Sequence, residues 1–152
     1  MEKQRPLIGI IAAEAEYIFF NRSLECIQKE LFAADMDAAI FSSLMMSGNQ
    51  EFDAAENSVY DLINLDLLDG IIIFPTSIND IASRNKLIER IRRDFKGPVL
   101  SYDCDVEGFD HAIYNYEPAA DMVIAHLVDK HGVKTPQYVL RYLHALRRRP
   151  LR

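Results

Sequence analysis

The chain has few cysteines and no long apolar run. Each of these features excludes certain classes of protein. Cys26 and Cys104 are the only cysteines among 152 residues. Two so far apart indicate neither a disulfide framework nor a cysteine metal site. No apolar run approaches the roughly 18 residues that a membrane span needs. Glu14 and Glu16 follow the first apolar run too closely for a signal peptide. We therefore expect a cytoplasmic protein with reduced thiols and no membrane contact.

The loops also lack the motifs of familiar α/β enzymes. Residues 12–16, which follow the first predicted strand, contain no glycine. A dinucleotide site needs glycines there so that the backbone can approach the pyrophosphate. A phosphate-binding loop ending in Lys-Ser or Lys-Thr is missing as well, as is the Gly-x-Ser-x-Gly turn of hydrolases. We expect a protein that is not an enzyme and uses no cofactor.

Metal-binding patterns are equally scarce. The acidic loop Asp103–Asp110 begins like a calcium loop, with Gly108 in the sixth place, but Tyr114 occupies the twelfth place, which requires a glutamate. No two histidines are three or four residues apart, the spacing that puts two ligands on one helix face. The histidines are His111, His126, His131 and His144. The sequence predicts no metal site.

The net charge of −6 is unevenly distributed along the chain. Residues 141–152 contain five arginines and no acidic residue, so the rest of the chain is strongly acidic. An acidic body disfavours binding to a phosphate backbone, which clustered Lys and Arg drive. We expect no direct nucleic-acid binding by this chain and a disordered basic tail over residues 141–152.

What the chain does contain is a series of short apolar runs separated by turns. The clearest is Ile71–Phe74, which Asp69-Gly70 precedes and Pro75, Thr76 and Ser77 end. Short runs of β-branched residues are typical of strands buried on both faces of a parallel sheet. Further strands are predicted at Leu7–Ala13, Ala38–Phe41, Val99–Tyr102, Ala112–Ile113 and Gln137–Leu140.

Between these runs, apolar residues recur at helical spacing. Phe20, Leu24, Ile27 and Leu31 form the first such stripe. Three more helices are predicted, over about 51–68 with Ala55, Val59 and Leu62 inward, over about 83–95 with Leu87, Ile88, Ile91 and Phe95 inward, and over about 117–131 with Ala120, Val123, Ile124 and Leu127 inward and Gly132 as cap. Strands alternating with helices predict an α/β fold with a doubly wound, mainly parallel sheet.

The order of these pieces resembles the effector domain of the LacI/GalR regulators, which is similar to type I periplasmic sugar-binding proteins. The resemblance rests on Ile8-Gly9-Ile10-Ile11, Phe19-Phe20, Asp69-Gly70-Ile71-Ile72-Ile73, Pro98-Val99 with Asp103, and His126-Leu127 with Gly132. It covers about residues 6–140. It implies a first α/β lobe over 1–116, the start of a second lobe over 117–140, and a chain that is truncated within the second lobe.

The resemblance also implies a ligand site in a cleft between two lobes. Its expected ligand-binding residues are Tyr17, Phe19, Phe20, Thr76, Ser77 and Asp103. Phe20 also fits the core as the first member of a helix stripe, and Asp103 also fits a solvated loop. Cys104 stands at the position where an arginine often binds sugar hydroxyls in the family.

These features lead to one main functional hypothesis. We expect a sensing module for a small sugar-like or nucleobase-like effector, coupled to an output domain of the diguanylate cyclase or histidine kinase type outside this chain. One alternative is a fragment of a LacI-type regulator without its DNA-binding domain, in which the lobe also forms a homodimer. A flavodoxin-like enzyme is a weaker alternative. Truncation predicts exposed apolar surface around Met122, Ile124, Tyr138 and Leu140, and hence self-association.

Overall fold

Strands and helices alternate along the part of the chain that the structure, a computed structural model, describes. That part comprises residues 5–15, 18–44 and 50–133, with the side chains of residues 18–20, 50 and 54 excepted. Its strands are β1 (Leu7–Ala13), β2 (Asp37–Ser43), β3 (Gly70–Ile73), β4 (Val99–Tyr102) and β5 (Asp110–Ala112). Its α-helices are α1 (Ile18–Ala33), α2 (Gln50–Asn57), α3 (Ile81–Asp94) and α4 (Glu117–His131). The predicted strand Gln137–Leu140 and the basic tail lie outside the described residues.

The strands form one five-stranded sheet in the order β2-β1-β3-β4-β5. Every neighbouring pair is parallel, which confirms the predicted α/β class with a parallel sheet. From β1 the chain moves outward to β2 and then crosses back over β1 to β3. Right-handed crossovers in opposite directions place their connecting helices on opposite faces. The reversal between β1 and β3 is the place where open sheets of this order bind ligands.

Alternation along the strands gives the sheet two apolar faces. Ile10 pairs with Ile72 in register, while Ile11 pairs with Ile73 one residue further along and faces the other way. Ile10 belongs to a buried cluster with Ala12, Leu24 and Phe74, against which Ile27 and Leu31 of α1 pack. The predicted stripe of the first helix is therefore confirmed from Leu24 onward.

Helix α3 matches its prediction closely. Its inward residues Leu87, Ile88 and Ile91 are all buried. Asp80 caps its N-terminus, where a carboxylate oxygen accepts a 2.7 Å hydrogen bond from the Ser83 backbone N–H. Phe95, the predicted fourth member of the stripe, lies just after the helix and is half-buried.

The helix predicted over about 51–68 is wrong in its second half. Helix α2 ends at Asn57, and two short 3-10 helices, Ser58–Leu62 and Leu65–Leu67, follow it. The predicted inward residue Leu62 is 80% exposed. The segment instead buries Tyr60, Ile63, Leu65 and Leu68, a spacing that no continuous helix presents on one face.

The side chain of Arg90 on α3 explains how this irregular segment is tolerated. Its guanidinium donates hydrogen bonds to the backbone carbonyls of Tyr60 and Ile63. Carbonyls outside a regular helix need such partners when they face the protein. The segment ends with Leu68 packed over β1, where a Cβ at Gly9 would lie 2.6 Å from Leu68 Cδ1. A side chain at Gly9 would therefore displace the end of the Leu68 side chain.

The chain divides into two compact units between Ala112 and Ile113. The second unit contains α4, whose predicted bounds are confirmed and which ends at Gly132 in the left-handed conformation, with a φ of 62°. No residue of α4 is buried. Ala120, Ile124 and Leu127 are half-buried, whereas Val123 is exposed, contrary to its predicted inward position. The domain boundaries at 116 and 140 stay predictions.

Candidate functional site

The carboxyl ends of β1, β3 and β4 lie side by side along one edge of the sheet. They are adjacent and parallel, and adjacent strands are about 4.8 Å apart. The residues that follow these strands therefore line the same edge, which we call the rim: residues 14–15, 74–77 and 103–104. Thr76, Ser77 and Asp103 lie on it. Tyr17 lies outside the described residues, as do the side chains of Phe19 and Phe20, whose backbone forms the first turn of α1.

Thr76 and Asp103 form a hydrogen-bonded pair across the rim. The Thr76 hydroxyl donates to Asp103 Oδ2 over 3.1 Å, and both residues are partly exposed. An ionised carboxylate has about four acceptor positions. One hydrogen bond from Thr76 therefore leaves Asp103 able to accept further hydrogen bonds from a ligand's hydroxyl or N–H groups.

The backbone around Asp103 fixes the direction of its carboxylate. Asp103 has a φ of 75°, in the left-handed region that few residues other than glycine occupy. Its N–H donates to the Ala112 carbonyl over 2.9 Å, which ties the turn to β5. Of the described non-glycine residues, Glu14 and Asp35 also have positive φ. Glu14 likewise follows a strand at the rim, and unusual backbone conformations concentrate at functional sites.

Ser77 lies on the same edge but is buried in it. Its hydroxyl donates to the Phe74 carbonyl over 2.7 Å and accepts a 2.8 Å hydrogen bond from the Ala13 N–H. These contacts join the ends of β3 and β1. The side chain is 5% exposed, and its hydroxyl proton is already used. Ser77 therefore supports the rim from within, and its geometry does not favour the ligand contact that the sequence predicts.

The end of β1 is tied to β2 in a similar way. The Glu14 N–H donates to the Ser43 carbonyl over 2.9 Å, and the Ala15 N–H donates to Ser42 Oγ over 3.2 Å. Beneath them, the buried Tyr60 hydroxyl contacts Ser43 Oγ and the Ala12 carbonyl, both at 2.9 Å. Burial raises the pKa of Tyr60, against the effect of its hydrogen bonds with Ser43. This network keeps the rim rigid.

Two further residues at the rim were not identified from the sequence. Tyr102, the last residue of β4, is half-buried with its ring centroid 4.6 Å from that of the buried Phe74. Its place directly before Asp103 could have indicated it, because aromatic rings beside polar groups are typical of sugar and base sites. The second residue is Arg84 on α3.

Arg84 carries a positive charge toward this edge. Its Nε is buried and has no hydrogen-bond partner. A buried guanidinium nitrogen without a hydrogen-bond partner costs free energy. The charge also acts on two neighbours. Burial raises the pKa of the Cys104 thiol, and the Arg84 cation opposes this rise. Hydrogen bonds from Ser83 lower the pKa of Asp80, to which Arg84 adds a smaller effect.

The rim and the rest of the described residues contain two cysteines and no metal cluster. Cys26 and Cys104 are both free, and the raised pKa of Cys104 keeps it a neutral thiol. Within residues 5–15, 18–44 and 50–133, no group of three or more His, Cys, Asp or Glu side chains could hold a metal ion. Among the same residues, no helix combines the length and apolarity needed to cross a bilayer.

A separate open groove lies at the opposite, amino edge of the sheet. It has a volume of about 300 Å³ and includes Arg92, Phe95, Pro98 and Phe109 in its lining. The Arg92 guanidinium lies 5.6 Å from the centroid of the Phe109 ring and donates to the Glu107 carbonyl. Because Arg92 is already held by these groups and the groove is wide open, we place the candidate site at the rim.

Comparison with solved structures gives the fold. The chain superposes on the Lac repressor dimer bound to operator and the anti-inducer ONPF with a TM-score of 0.61, at 15% identity over 84% of this chain and 42% of that one. It superposes equally well, with a TM-score of 0.61, on an ABC transporter solute-binding protein from Clostridium phytofermentans with bound β-D-glucose, at 14% identity over 86% of this chain and 39% of that one.

At these identities the likeness establishes the fold alone, which is that of a LacI/periplasmic-binding-protein-like domain, as the sequence predicts. The chain spans less than half the length of either structure. No protein-family model matches it, and neither does any curated protein.

Proposed function

We propose that this chain is part of a sensing module for a small sugar-like or nucleobase-like effector. The effector lies against the rim, in a cleft that a second lobe completes. The module transmits binding to an output domain of the diguanylate cyclase or histidine kinase type beyond this chain. We propose binding and not catalysis as its role.

The observation that carries this proposal is the Thr76–Asp103 pair at the rim, next to Cys104, on which the charge of Arg84 acts. Asp103 accepts hydrogen bonds from ligand hydroxyl or N–H groups, and the positive charge of Arg84 favours ligand oxygens near Cys104. Tyr102 supplies an aromatic ring for an apolar ligand face. In the family that the sequence resembles, an arginine often stands at the position of Cys104. Here Arg84, on α3, provides a guanidinium near Cys104 instead. β-D-Glucose, which is bound in one structural neighbour, is of the same chemical class.

The experiment compares two aspartates of one loop, in a full-length protein with both lobes, by titration calorimetry against neutral sugars, sugar acids and nucleosides. Asp103→Asn removes the charged acceptor, whereas Asp105→Asn changes an exposed carboxylate whose contact is His111, at 3.6 Å. A hydrogen bond to a charged group contributes about 1.5–3 kcal/mol. Asp103→Asn should therefore weaken binding roughly 10- to 150-fold, and Asp105→Asn should leave it nearly unchanged.

Two results would contradict the proposal. One is the absence of heat for every compound in the panel, with the protein folded by circular dichroism. The other is an equal effect of the two substitutions on the Kd, which would show that the ligand does not bind at the rim.

The second candidate is a fragment of a LacI-type regulator. The likeness to the Lac repressor dimer favours it, and the same lobe would then also form a homodimer. The coding sequence on either side of this chain discriminates between the two. A helix-turn-helix segment upstream in frame supports the regulator, whereas a cyclase or kinase domain downstream supports the sensing module.

A further inference from the structure

We propose that His126 and His131, at the end of α4, form a binding site for a divalent transition metal ion such as Zn²⁺. The two Nε2 atoms lie 3.3 Å apart, and the ring centroids are separated by 5.1 Å with an interplanar angle of 65°. Both side chains are exposed, so an ion can reach them from solvent. This site is independent of the rim and of the proposed effector.

The distance between the two nitrogens is the first argument. Zn–N bonds are about 2.0–2.1 Å long, and two ligands at a tetrahedral angle around one ion are therefore about 3.3–3.4 Å apart. The observed 3.3 Å matches this separation. The pair is therefore spaced as two ligands of one ion. The same distance is within hydrogen-bond range, so the two rings contact each other directly when no ion is bound.

The position of the pair on α4 is the second argument. His131 is the last residue of the helix, and Gly132 ends it in the left-handed conformation. The carbonyl end of a helix carries partial negative charge, which favours a cation there. A five-residue spacing does not put two side chains on one face of a continuous helix. The search for histidines three or four residues apart therefore did not identify this pair. At the helix end the two rings nevertheless meet.

The chemistry of the ligands limits the ion. Imidazole nitrogens suit Zn²⁺, Cu²⁺ and Ni²⁺ better than Mg²⁺ or Ca²⁺, which prefer oxygen. Since no third ligand belongs to the pair among the described residues, water occupies the remaining positions. The ion would therefore have coordination positions that the protein does not fill.

The test is calorimetric titration of the full chain with ZnCl₂. We expect one Zn²⁺ per chain, at least about tenfold weaker binding in His126→Gln and in His131→Gln, and unchanged binding in His111→Gln. His111 is the matched control because it is also exposed and lies near a carboxylate, with Nδ1 3.6 Å from Asp105 Oδ1. Circular dichroism checks that each variant keeps its helix content.

Paramagnetic resonance of the Cu²⁺-loaded chain gives a second readout. The proposal predicts splitting from two imidazole nitrogens, which falls to one in either single variant. It is overturned if the wild-type chain binds no Zn²⁺, if the double variant His126→Gln/His131→Gln binds Zn²⁺ as tightly as the wild type, or if the copper spectrum shows a single imidazole.

Discussion

Neighbouring residues at the rim have different tasks although their side chains are chemically alike. Thr76 and Ser77 are adjacent hydroxyl residues after β3, yet Thr76 is partly exposed and bonded to Asp103, whereas Ser77 is buried between two strand ends. The exposure of Thr76 and the burial of Ser77 both follow from the 3-10 turn Pro75–Ser77, which directs successive side chains to different sides. The ligand contact and the support of the rim are thus separated by one residue.

Removing the Ser77 hydroxyl tests this division at the level of stability. Ser77→Ala leaves the buried Ala13 N–H without its partner and should lower the free energy of unfolding by about 1–3 kcal/mol. Urea denaturation measures it. Ser58→Ala is the matched control, because the exposed Ser58 hydroxyl donates only to the Ala55 carbonyl. An equal decrease in the free energy of unfolding in the two variants would show that the Ser77 hydroxyl stabilises the fold no more than the exposed Ser58 hydroxyl does.

At the scale of elements, the sequence was most informative where one constraint dominates. The runs at β1 and β3 are apolar throughout and β4 is largely so because the sheet buries both faces, and the positions of all three were predicted to within a residue. The second half of the helix predicted over 51–68 was wrong. Its apolar residues also fit a helical stripe, and only the contacts of Arg90 with the freed carbonyls reveal the alternative.

The candidate site divides in the same way. Thr76 was predicted because residues after parallel strands meet at one edge, and Asp103 was predicted from the resemblance to LacI/GalR effector domains. The burial of Ser77 could not be predicted, since the sequence does not show which of two adjacent hydroxyls turns inward. Arg84 was missed because its place depends on how α3 packs beside the loop after β4, a long-range contact with no local pattern.

The start of α3 provides a prediction for an element. Asp80→Ala removes the N-cap and should lower the free energy of unfolding by about 1 kcal/mol at neutral pH. Glu89→Ala, an exposed change in the same helix, should stay within about 0.5 kcal/mol of the wild type. Chemical denaturation of the three proteins gives the comparison.

The pH dependence of this cap has a definite sign. Hydrogen bonds from the Ser83 side chain and backbone lower the pKa of Asp80 in the folded state. A lowered pKa contributes stability above the unfolded value of about 3.9, and this contribution is lost as pH falls through the folded value. The gap between the wild type and Asp80→Ala should therefore close in acid. A gap that stays constant down to pH 2 would refute the role of the ionised cap.

At the scale of the whole molecule, the chain carries apolar surface that its own described residues do not cover. Met122 and Val123 on α4 are 73% and 56% exposed, and the chain spans less than half of either structural neighbour. Of the surface predicted from the sequence, Ile124 is half-buried, and Tyr138 and Leu140 lie outside the described residues.

Exposed apolar helices favour association, so the isolated chain should self-associate as its concentration rises. Met122→Lys should reduce this, because a charge on the apolar surface resists burial. Light scattering across a concentration series measures the mean mass, with Lys130→Ala, an exposed change on the same helix, as control. A wild-type mass that stays monomeric at every concentration would contradict the expectation.

The central claim is that the rim is the ligand-binding edge of this fold. Amide chemical-shift mapping of the labelled chain against the panel of neutral sugars, sugar acids and nucleosides tests it most directly. The account predicts saturable shifts concentrated at Ala13–Ala15, Thr76–Ser77 and Tyr102–Cys104. Saturable shifts concentrated instead at the amino edge, around Asp69 and Gly97, or no shifts with any compound, would contradict it.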